Sequence, residues 1–231
     1  MIKFLLSLLL TKFKLIRFGI SIFFLMFCVC NIKAQEVSGE LSEFLLKLEQ
    51  SDKKTNTIKA DFIQTISFER TGEKQKIVGT VLWGKPNSLY IDQRTPQEQR
   101  IYIDGKTITI YTPSESQAVI DSWRNSINED FPSVFIVNFG SFWKDIRKTS
   151  NIILEGHDNN SVIIKIQPLK NKNMNAKIYI SKASMLPEKA IIHSGITEIE
   201  IVFKNYSLNP ELSKDIFKFK ISNNVEIIKL Y

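Results

Sequence analysis

The residues able to carry out chemistry are few in this 231-residue chain, and their spacing matches no catalytic pattern. The two histidines, His157 and His193, lie in a predicted turn and near a predicted strand end, with no acid or nucleophile at a spacing that indicates a catalytic triad, and two histidines alone are few for a metal site. Glu198 and Glu200 alternate with isoleucines, which is typical of a solvated strand face rather than of a general acid and base. The glycines form no phosphate-binding loop. The sequence therefore predicts no enzyme, no metal and no cofactor.

The first 34 residues have the order of a secretory signal peptide. Basic residues come first, an apolar run from Phe18 to Val29 follows, and the small residue Ala34 ends the segment. This apolar run is short for the roughly 20 residues that span a bilayer. We therefore expect cleavage between Ala34 and Gln35, which leaves 35–231 as a single domain.

Removal of this leader would also remove both cysteines and most of the basic excess. Cys28 and Cys30 follow Phe27 and Val29 rather than the small residue that lipidation of a cysteine needs, so we expect no lipid anchor. The mature chain would have no thiol and no disulfide. Five of the 31 basic residues lie in the leader, which leaves 26 against 24 acids and a net charge of about +2. Such a balance disfavours nucleic acid as a partner.

The remaining chain predicts one helix followed by a succession of strands. Leu41, Phe44, Leu45 and Leu48 have the spacing of the apolar face of a helix. Apolar and polar residues then alternate through most of the chain, as in strands with one buried face. Asp104-Gly105 predicts the centre of a tight hairpin turn. Near the carboxyl end, Phe217–Ile221 and Val225–Leu230 predict a last pair of strands.

The segment from Phe131 to Arg147 differs because its aromatic residues have helical spacing and few charges accompany them. It predicts either a buried core helix or a helix across the mouth of a cavity, and the sequence leaves both open. Without an alternating β-α rhythm, the strands predict an antiparallel sheet that curls into a barrel or half-barrel. The fold class is therefore mainly β with helices (α+β), with about eleven strands.

Several short segments occur in the order found in one known family. They are Ala60–Gln64, Gly79–Trp83 with Lys85–Ile91, Asp104–Pro113 with Gln117, and Phe217–Phe219 before Val225. They resemble the patterns adFxQ, RPxxFxW, DGxxlwxYxP…Q and FxFxxPxGV of the outer-membrane lipoprotein-carrier (LolA-type) family. The resemblance covers nearly all of the mature chain.

This resemblance implies an incomplete, half-open antiparallel β-barrel with a helical lid over an apolar cavity. It implies a monomeric periplasmic carrier that takes the acyl chains of lipoproteins from an inner-membrane ABC transporter and delivers them to an outer-membrane acceptor. Two alternatives stay open: a carrier of the same fold for another amphiphile, such as a glycolipid or lipidic pigment, and a lipid-sensing regulatory module.

The candidate site is a set of apolar side chains expected to line the cavity, each of which could instead be ordinary core. They are Phe62, Val81, Trp83, Leu89, Ile91, Tyr111, Phe135, Phe139, Phe142 and Trp143. Lys85 stands where the family has an arginine that hydrogen-bonds the backbone of the lid helix, and it is the candidate lid latch. Lysine keeps the charge without the planar fork, so we expect a weaker latch. Leu89 and Ile91 stand where the family has aromatic residues, which affects the choice of cargo.

Overall fold

The computed structural model describes residues 39–122, 142–222 and 224–230. The chain divides into two compact units, Met1–Phe44 and Leu45–Tyr231. In the first unit only 39–44 are described, and they are helical. The expected leader and cleavage site, and the candidate residues Phe135 and Phe139, lie outside the described residues. Within the described ranges, no helix is both long and apolar enough to cross a membrane.

The described elements are two helices and twelve strands. Helix α1 covers 39–54 and helix α2 covers Phe142–Thr149. The strands are β1 Thr57–Phe68, β2 Lys74–Gly84, β3 Ser88–Thr95, β4 Gln99–Ile103, β5 Thr107–Thr112, β6 Gln117–Ser122, β7 Ser150–His157, β8 Ser161–Pro168, β9 Met174–Ser181, β10 Pro187–Ser194, β11 Thr197–Leu208 and β12 Glu226–Lys229. Short 3₁₀ turns cover Pro113–Glu115 and Lys214–Phe217.

All twelve strands belong to one sheet, in the order β12-β6-β5-β4-β3-β2-β1-β11-β10-β9-β8-β7. Strands β12 and β7 are its two ends, so the described sheet is not closed into a barrel. Neighbours are antiparallel except β12 and β6, which pair in parallel. The predicted mainly β class and open sheet are therefore confirmed, with twelve strands rather than about eleven.

Alternation along the strands gives the sheet two different faces. One face, called the apolar face below, has a row of cross-strand neighbours formed by Ile164, Ile178, Ala190 and Ile201, each at most 5% exposed. Residues between them, such as Lys177, point to the opposite face and stay partly exposed. This is the pattern expected where one face of a sheet is buried, and it fixes the register of the strands.

The hairpin between β4 and β5 is present, but its turn is one residue further along than predicted. The backbone N–H of Asp104 donates to the carbonyl of Thr107 at 3.3 Å, so Gly105 and Lys106 are the central residues. Gly105 takes the positive φ of +88° that the first central position of such a turn requires. The Asp104 carboxylate accepts the N–H groups of Lys106 and Thr107, both at 2.8 Å, which explains why aspartate precedes the turn.

The predicted strand at Phe217–Ile221 is wrong. This segment contains the end of a 3₁₀ turn and no strand, whereas the last predicted strand is present as β12. Phe217 is buried beside Gly84 of β2, while the ring of Phe219 lies 5.5 Å from that of Tyr102 in β4. The contacts move across the strands within two residues, so the segment crosses the sheet instead of extending it. Alternating apolar residues can therefore indicate a segment that crosses a sheet as well as a strand within it.

Gly79→Ala is expected to lower the free energy of unfolding by about 1–3 kcal/mol, since a tightly packed site has to expand. Gly79 lies opposite Phe62 in the β1–β2 pair. A β-carbon there would stand 2.5 Å from the carbonyl oxygen of Asp92 and 2.8 Å from the Phe62 ring. Urea denaturation measures the loss. Adding Phe62→Leu should recover part of it, because the ring clash is removed; purely additive losses would contradict this explanation.

Candidate functional site

Five of the predicted cavity residues come together on the apolar face, across β1, β2 and β3. Trp83 pairs with Leu89, and Val81 pairs with Ile91, while Phe62 lies on the same face of β1. All five side chains are between 1% and 8% exposed. Residues that pair directly on neighbouring strands point to the same face of the sheet, so the strand register places these side chains next to each other. The parity of the strands therefore produces one continuous apolar cluster from residues that are up to 29 positions apart in sequence.

The centre of this cluster contains a narrow gap between side chains that has no room for a water molecule. The lining residues are Ile58, Ala60, Val81, Trp83, Phe203 and Tyr206. The Tyr206 hydroxyl donates to the carbonyl of Pro187 at 2.6 Å, which satisfies the polar group in this apolar surrounding. Burial also raises the pKa of Tyr206, so its hydroxyl stays protonated. The six residues that line the gap, from Ile58 to Tyr206, are called the apolar cluster centre below.

The structure does not bring all the predicted residues together, and Tyr111 lies apart from these five. Tyr111 pairs with Arg100, whose neighbour Ile101 is on the apolar face, so both Tyr111 and Arg100 belong to the opposite face. Trp143 is buried on α2, which packs beside β7 at one end of the sheet. The backbone of Phe142 belongs to α2, but its side chain lies outside the described residues, as do Phe135 and Phe139.

Lys85 is in direct contact with a helix. Its Nζ donates to the carbonyl oxygens of Asp52 at 2.7 Å and Lys53 at 3.2 Å, at the carboxyl end of α1. The carbonyl of Asp52 also accepts the backbone N–H of Thr55 at 3.2 Å, and the helix dipole makes this end of α1 attractive to a cation. The backbone N–H of Lys85 also donates to the carbonyl of Asn56 at 2.9 Å. Lys85 thus ties the end of α1 to the end of β2, next to the apolar cluster.

Asp52→Asn is expected to stabilise the protein at pH 7 and to flatten its pH dependence. Burial raises the pKa of Asp52 to about 6, although the charge of Lys85 lowers it. Between pH 4 and 6 the folded state holds a proton that the unfolded chain releases, so the free energy of unfolding falls as pH rises through this window. After allowance for partial exposure, the gain at pH 7 is about 1–2 kcal/mol.

Urea denaturation at pH 4.5 and pH 7 measures this effect, with Asp215→Asn as the control. The Asp215 side chain is 65% exposed, so its replacement should leave both values nearly unchanged. Equal behaviour of the two variants would show that burial of Asp52 has no energetic consequence.

An ion pair links helices α1 and α2. Arg147 of α2 donates to the carboxylate of Glu49 of α1 at 2.8 Å. The arginine side chain is 40% exposed, so this ion pair contributes less than about 1 kcal/mol. It brings Glu49 of α1 next to Arg147 of α2. Among the described residues, no three acidic or histidine side chains gather in a way that could hold a metal ion.

Sequence reasoning missed two residues of the apolar cluster centre that lie on β11. Phe203 pairs with Phe62, and Tyr206 lies three residues further along. Nine described strands separate β11 from β1 in sequence, so no local pattern indicates this pairing. Ile58 and Ala60, by contrast, could have been found, since they alternate with polar residues and share the parity of Phe62.

The described part of the chain is thus an open sheet with a buried apolar cluster on one face and a helix end tied to its rim. The family model for the outer membrane lipoprotein carrier protein LolA matches residues 53–220. The chain belongs to this family, which confirms the resemblance seen in the sequence motifs.

Similar proteins agree with this membership. The outer-membrane lipoprotein carrier protein of Pasteurella multocida is 28% identical over 185 residues, covering 78% of this chain and 84% of the relative. That of Histophilus somni (strain 129Pt) is 29% identical over 175 residues, covering 75% and 81%. A solved structure of an uncharacterized conserved protein from Thermus thermophilus has a TM-score of 0.56 at 11% identity, covering 82% of this chain and 99% of that one. It supports the fold alone.

Proposed function

We propose that this protein is a periplasmic carrier that binds the acyl chains of lipoproteins on the apolar face of its sheet. The observation that carries the proposal is the apolar cluster formed by the family's own motif segments, Ala60–Gln64, Gly79–Trp83 and Lys85–Ile91. Family membership supports the cargo, because the relatives are named as outer-membrane lipoprotein carriers. The carrier receives its cargo from an inner-membrane ABC transporter and delivers it to an outer-membrane acceptor.

Transfer requires no catalytic group, since it depends on the partition of hydrocarbon between sites. Each buried CH₂ contributes roughly 0.8 kcal/mol. A carrier that buried long chains completely would therefore retain them, so part of this gain has to be offset. The closed gap in the apolar cluster has no room even for water, so cargo enters only when side chains and backbone move apart. The free energy of that opening is the offset, and it returns when the cargo leaves.

Lys85 contributes to this opening cost. Its two hydrogen bonds hold the carboxyl end of α1 against the end of β2, two residues from Trp83. Cargo entry that displaces α1 has to break both bonds. Lys85 then acts as the latch of the empty state, in the place of the family arginine.

Native mass spectrometry of the mature protein purified from a lipoprotein-producing periplasm tests the proposal. We expect a co-purified triacylated lipoprotein. Ile110→Asp, on the apolar face, should abolish its retention, whereas Tyr111→Asp, one residue away on the opposite face, should keep it. Both residues are half-buried in the same strand, so their effects on stability are comparable. An empty protein that also fails to take lipoprotein from membranes would contradict the proposal.

A second candidate function is transport of another amphiphile, such as a glycolipid or lipidic pigment. Leu89 and Ile91 favour it, since both are aliphatic where the family pattern has aromatic rings. Leu89 is 1% exposed and lies between Trp83 and Ile103 of the neighbouring strands, so its shape bears on the cluster directly. The same mass spectrometry experiment distinguishes the two, because the bound molecule is identified by its mass.

A further inference from the structure

A second cavity, of about 300 Å³, lies on the opposite face of the sheet. Its floor is formed by Tyr90 of β3, Tyr102 of β4 and Tyr111 of β5. Its other wall comes from the crossing segment and from the nearby residues Asp215, Ile216, Ser222 and Val225. We call it the tyrosine pocket. Its volume is at the lower end of the range of about 300–1,000 Å³ that is usual for small-molecule sites.

The rings of this pocket form a connected aromatic surface. Tyr90 and Tyr102 are direct cross-strand neighbours with ring centroids 5.0 Å apart. Phe219 of the crossing segment lies 5.5 Å from Tyr102 and 5.3 Å from Tyr111. The apolar face of the sheet uses the alternate residues of these strands, so none of the four rings contributes to the apolar cluster. Aromatic surface of this kind binds flat or hydrocarbon groups.

The lining of the pocket contains more cationic than acidic side chains. Its lining holds the cationic residues Arg100, Lys218 and Lys220 and one acid, Asp215, an excess of two positive charges. Arg100 pairs with Glu98 at 2.6 Å and with Asp92 at 4.0 Å, and Lys218 pairs with Asp215 at 3.6 Å, so Lys220 is the main source of unpaired positive charge in the lining. No described acid lies within 4 Å of the Lys220 ammonium. The cations disfavour an ammonium ligand, which an aromatic cage would otherwise suit.

The hydroxyl groups of Tyr90 and Tyr102 are neutral at physiological pH. Burial raises the pKa of Tyr90 to about 12, and burial also raises the pKa of Tyr102. Neutral hydroxyls and guanidinium N–H groups both donate to the oxygens of an oxyanion, and the guanidinium fork suits a phosphate in particular. The pocket therefore combines donors, positive charge and an aromatic surface within one cavity.

We propose that the tyrosine pocket binds an organic phosphate, that is, a phosphate ester attached to an aromatic or short hydrocarbon body. The phosphate lies toward Arg100 and Lys220, and the body lies against Tyr102 and Phe219. This site is separate from the apolar face and does not depend on the proposed carrier function.

Isothermal titration calorimetry with phenyl phosphate tests the site, with inorganic phosphate and benzyl alcohol as partial ligands. We expect phenyl phosphate to bind at least ten times more tightly than either one. Arg100→Gln with Lys220→Gln should weaken its binding at least ten-fold, whereas Lys74→Gln, an exposed lysine at the start of β2, should leave it unchanged. Phe219→Leu should weaken phenyl phosphate binding but not that of inorganic phosphate, because it removes a ring and no hydrogen-bond donor. Equal affinities for the Lys74 and the double variants, with circular dichroism unchanged, would overturn the proposal.

Two sources of such a phosphate are distinguished by vesicle sedimentation. Binding to phosphatidylglycerol vesicles but not to phosphatidylcholine vesicles, lost in the Arg100 and Lys220 double variant, identifies a lipid headgroup. Binding of phenyl phosphate without vesicle binding identifies a soluble phosphate ester. Absence of binding in both experiments would overturn the proposal.

Discussion

Trp83→Ala is expected to lower the free energy of unfolding by about 3–5 kcal/mol, the largest loss for any single change considered for this protein. Trp83 is 2% exposed and pairs with Ile58 on one side and Leu89 on the other. Removal of the indole would leave a cavity. The strands on both sides cannot move in to fill it, because the hydrogen bonds between them fix their positions. Urea denaturation of the two proteins measures the difference.

Trp83→Phe is the matched control, since a ring remains and the loss should be clearly smaller. Leu46→Ala gives the opposite limit: that side chain is 52% exposed, so its truncation should cost no more than about 0.5 kcal/mol. A loss below about 1 kcal/mol for Trp83→Ala would contradict the placement of this residue in a closed apolar cluster.

Lys85→Met is expected to speed the uptake of a pyrene-labelled fatty acid about ten-fold. The substitution keeps an unbranched apolar chain but removes the donors to the Asp52 and Lys53 carbonyls. Hydrogen bonds from a charged donor contribute about 1.5–3 kcal/mol when buried, and less here because the lysine is exposed. If the closed state is stabilised by about 1.4 kcal/mol less, the fraction of molecules in the open state increases ten-fold. Stopped-flow fluorescence measures the rate.

Two variants control this experiment. Lys53→Met removes a charge from the same end of α1 without touching the latch, because Lys53 takes part through its backbone carbonyl. Its uptake rate should match that of the natural sequence. Lys85→Arg should slow uptake, since the guanidinium offers more donors to the same carbonyls. Equal acceleration by Lys53→Met and Lys85→Met would mean that general charge, and not the latch, sets the rate.

The strands could be predicted from sequence because their apolar alternation is regular, and one buried face produces this signal directly. The pairing of β1 with β11 and the parallel β12–β6 pair could not, since no local pattern encodes a contact between distant segments. The crossing segment shows a further limit. Phe217 and Phe219 alternate as in a strand, yet they bury their rings against different strands of the sheet.

The same reasoning explains the outcome for the candidate site. Val81 with Trp83, and Leu89 with Ile91, follow from parity within one strand, and register then joins the two strands. Tyr111 is separated from these residues by parity, since its neighbour Ile110 in β5 is the one on the apolar face. The contact of Lys85 with a helix end could be inferred only by resemblance, since Asp52 and Lys53 are more than 30 residues away.

Photo-crosslinking from two adjacent positions of β4 tests the central claim most directly. A photoreactive benzoylphenylalanine replaces either Ile101, on the apolar face, or Tyr102, on the opposite face, and both positions are half-buried. After irradiation in cells that produce lipoproteins, we predict that position 101 crosslinks to lipoprotein and that position 102 does not. Crosslinks from position 102 alone, or equally from both, would contradict the conclusion that the apolar face holds the acyl chains.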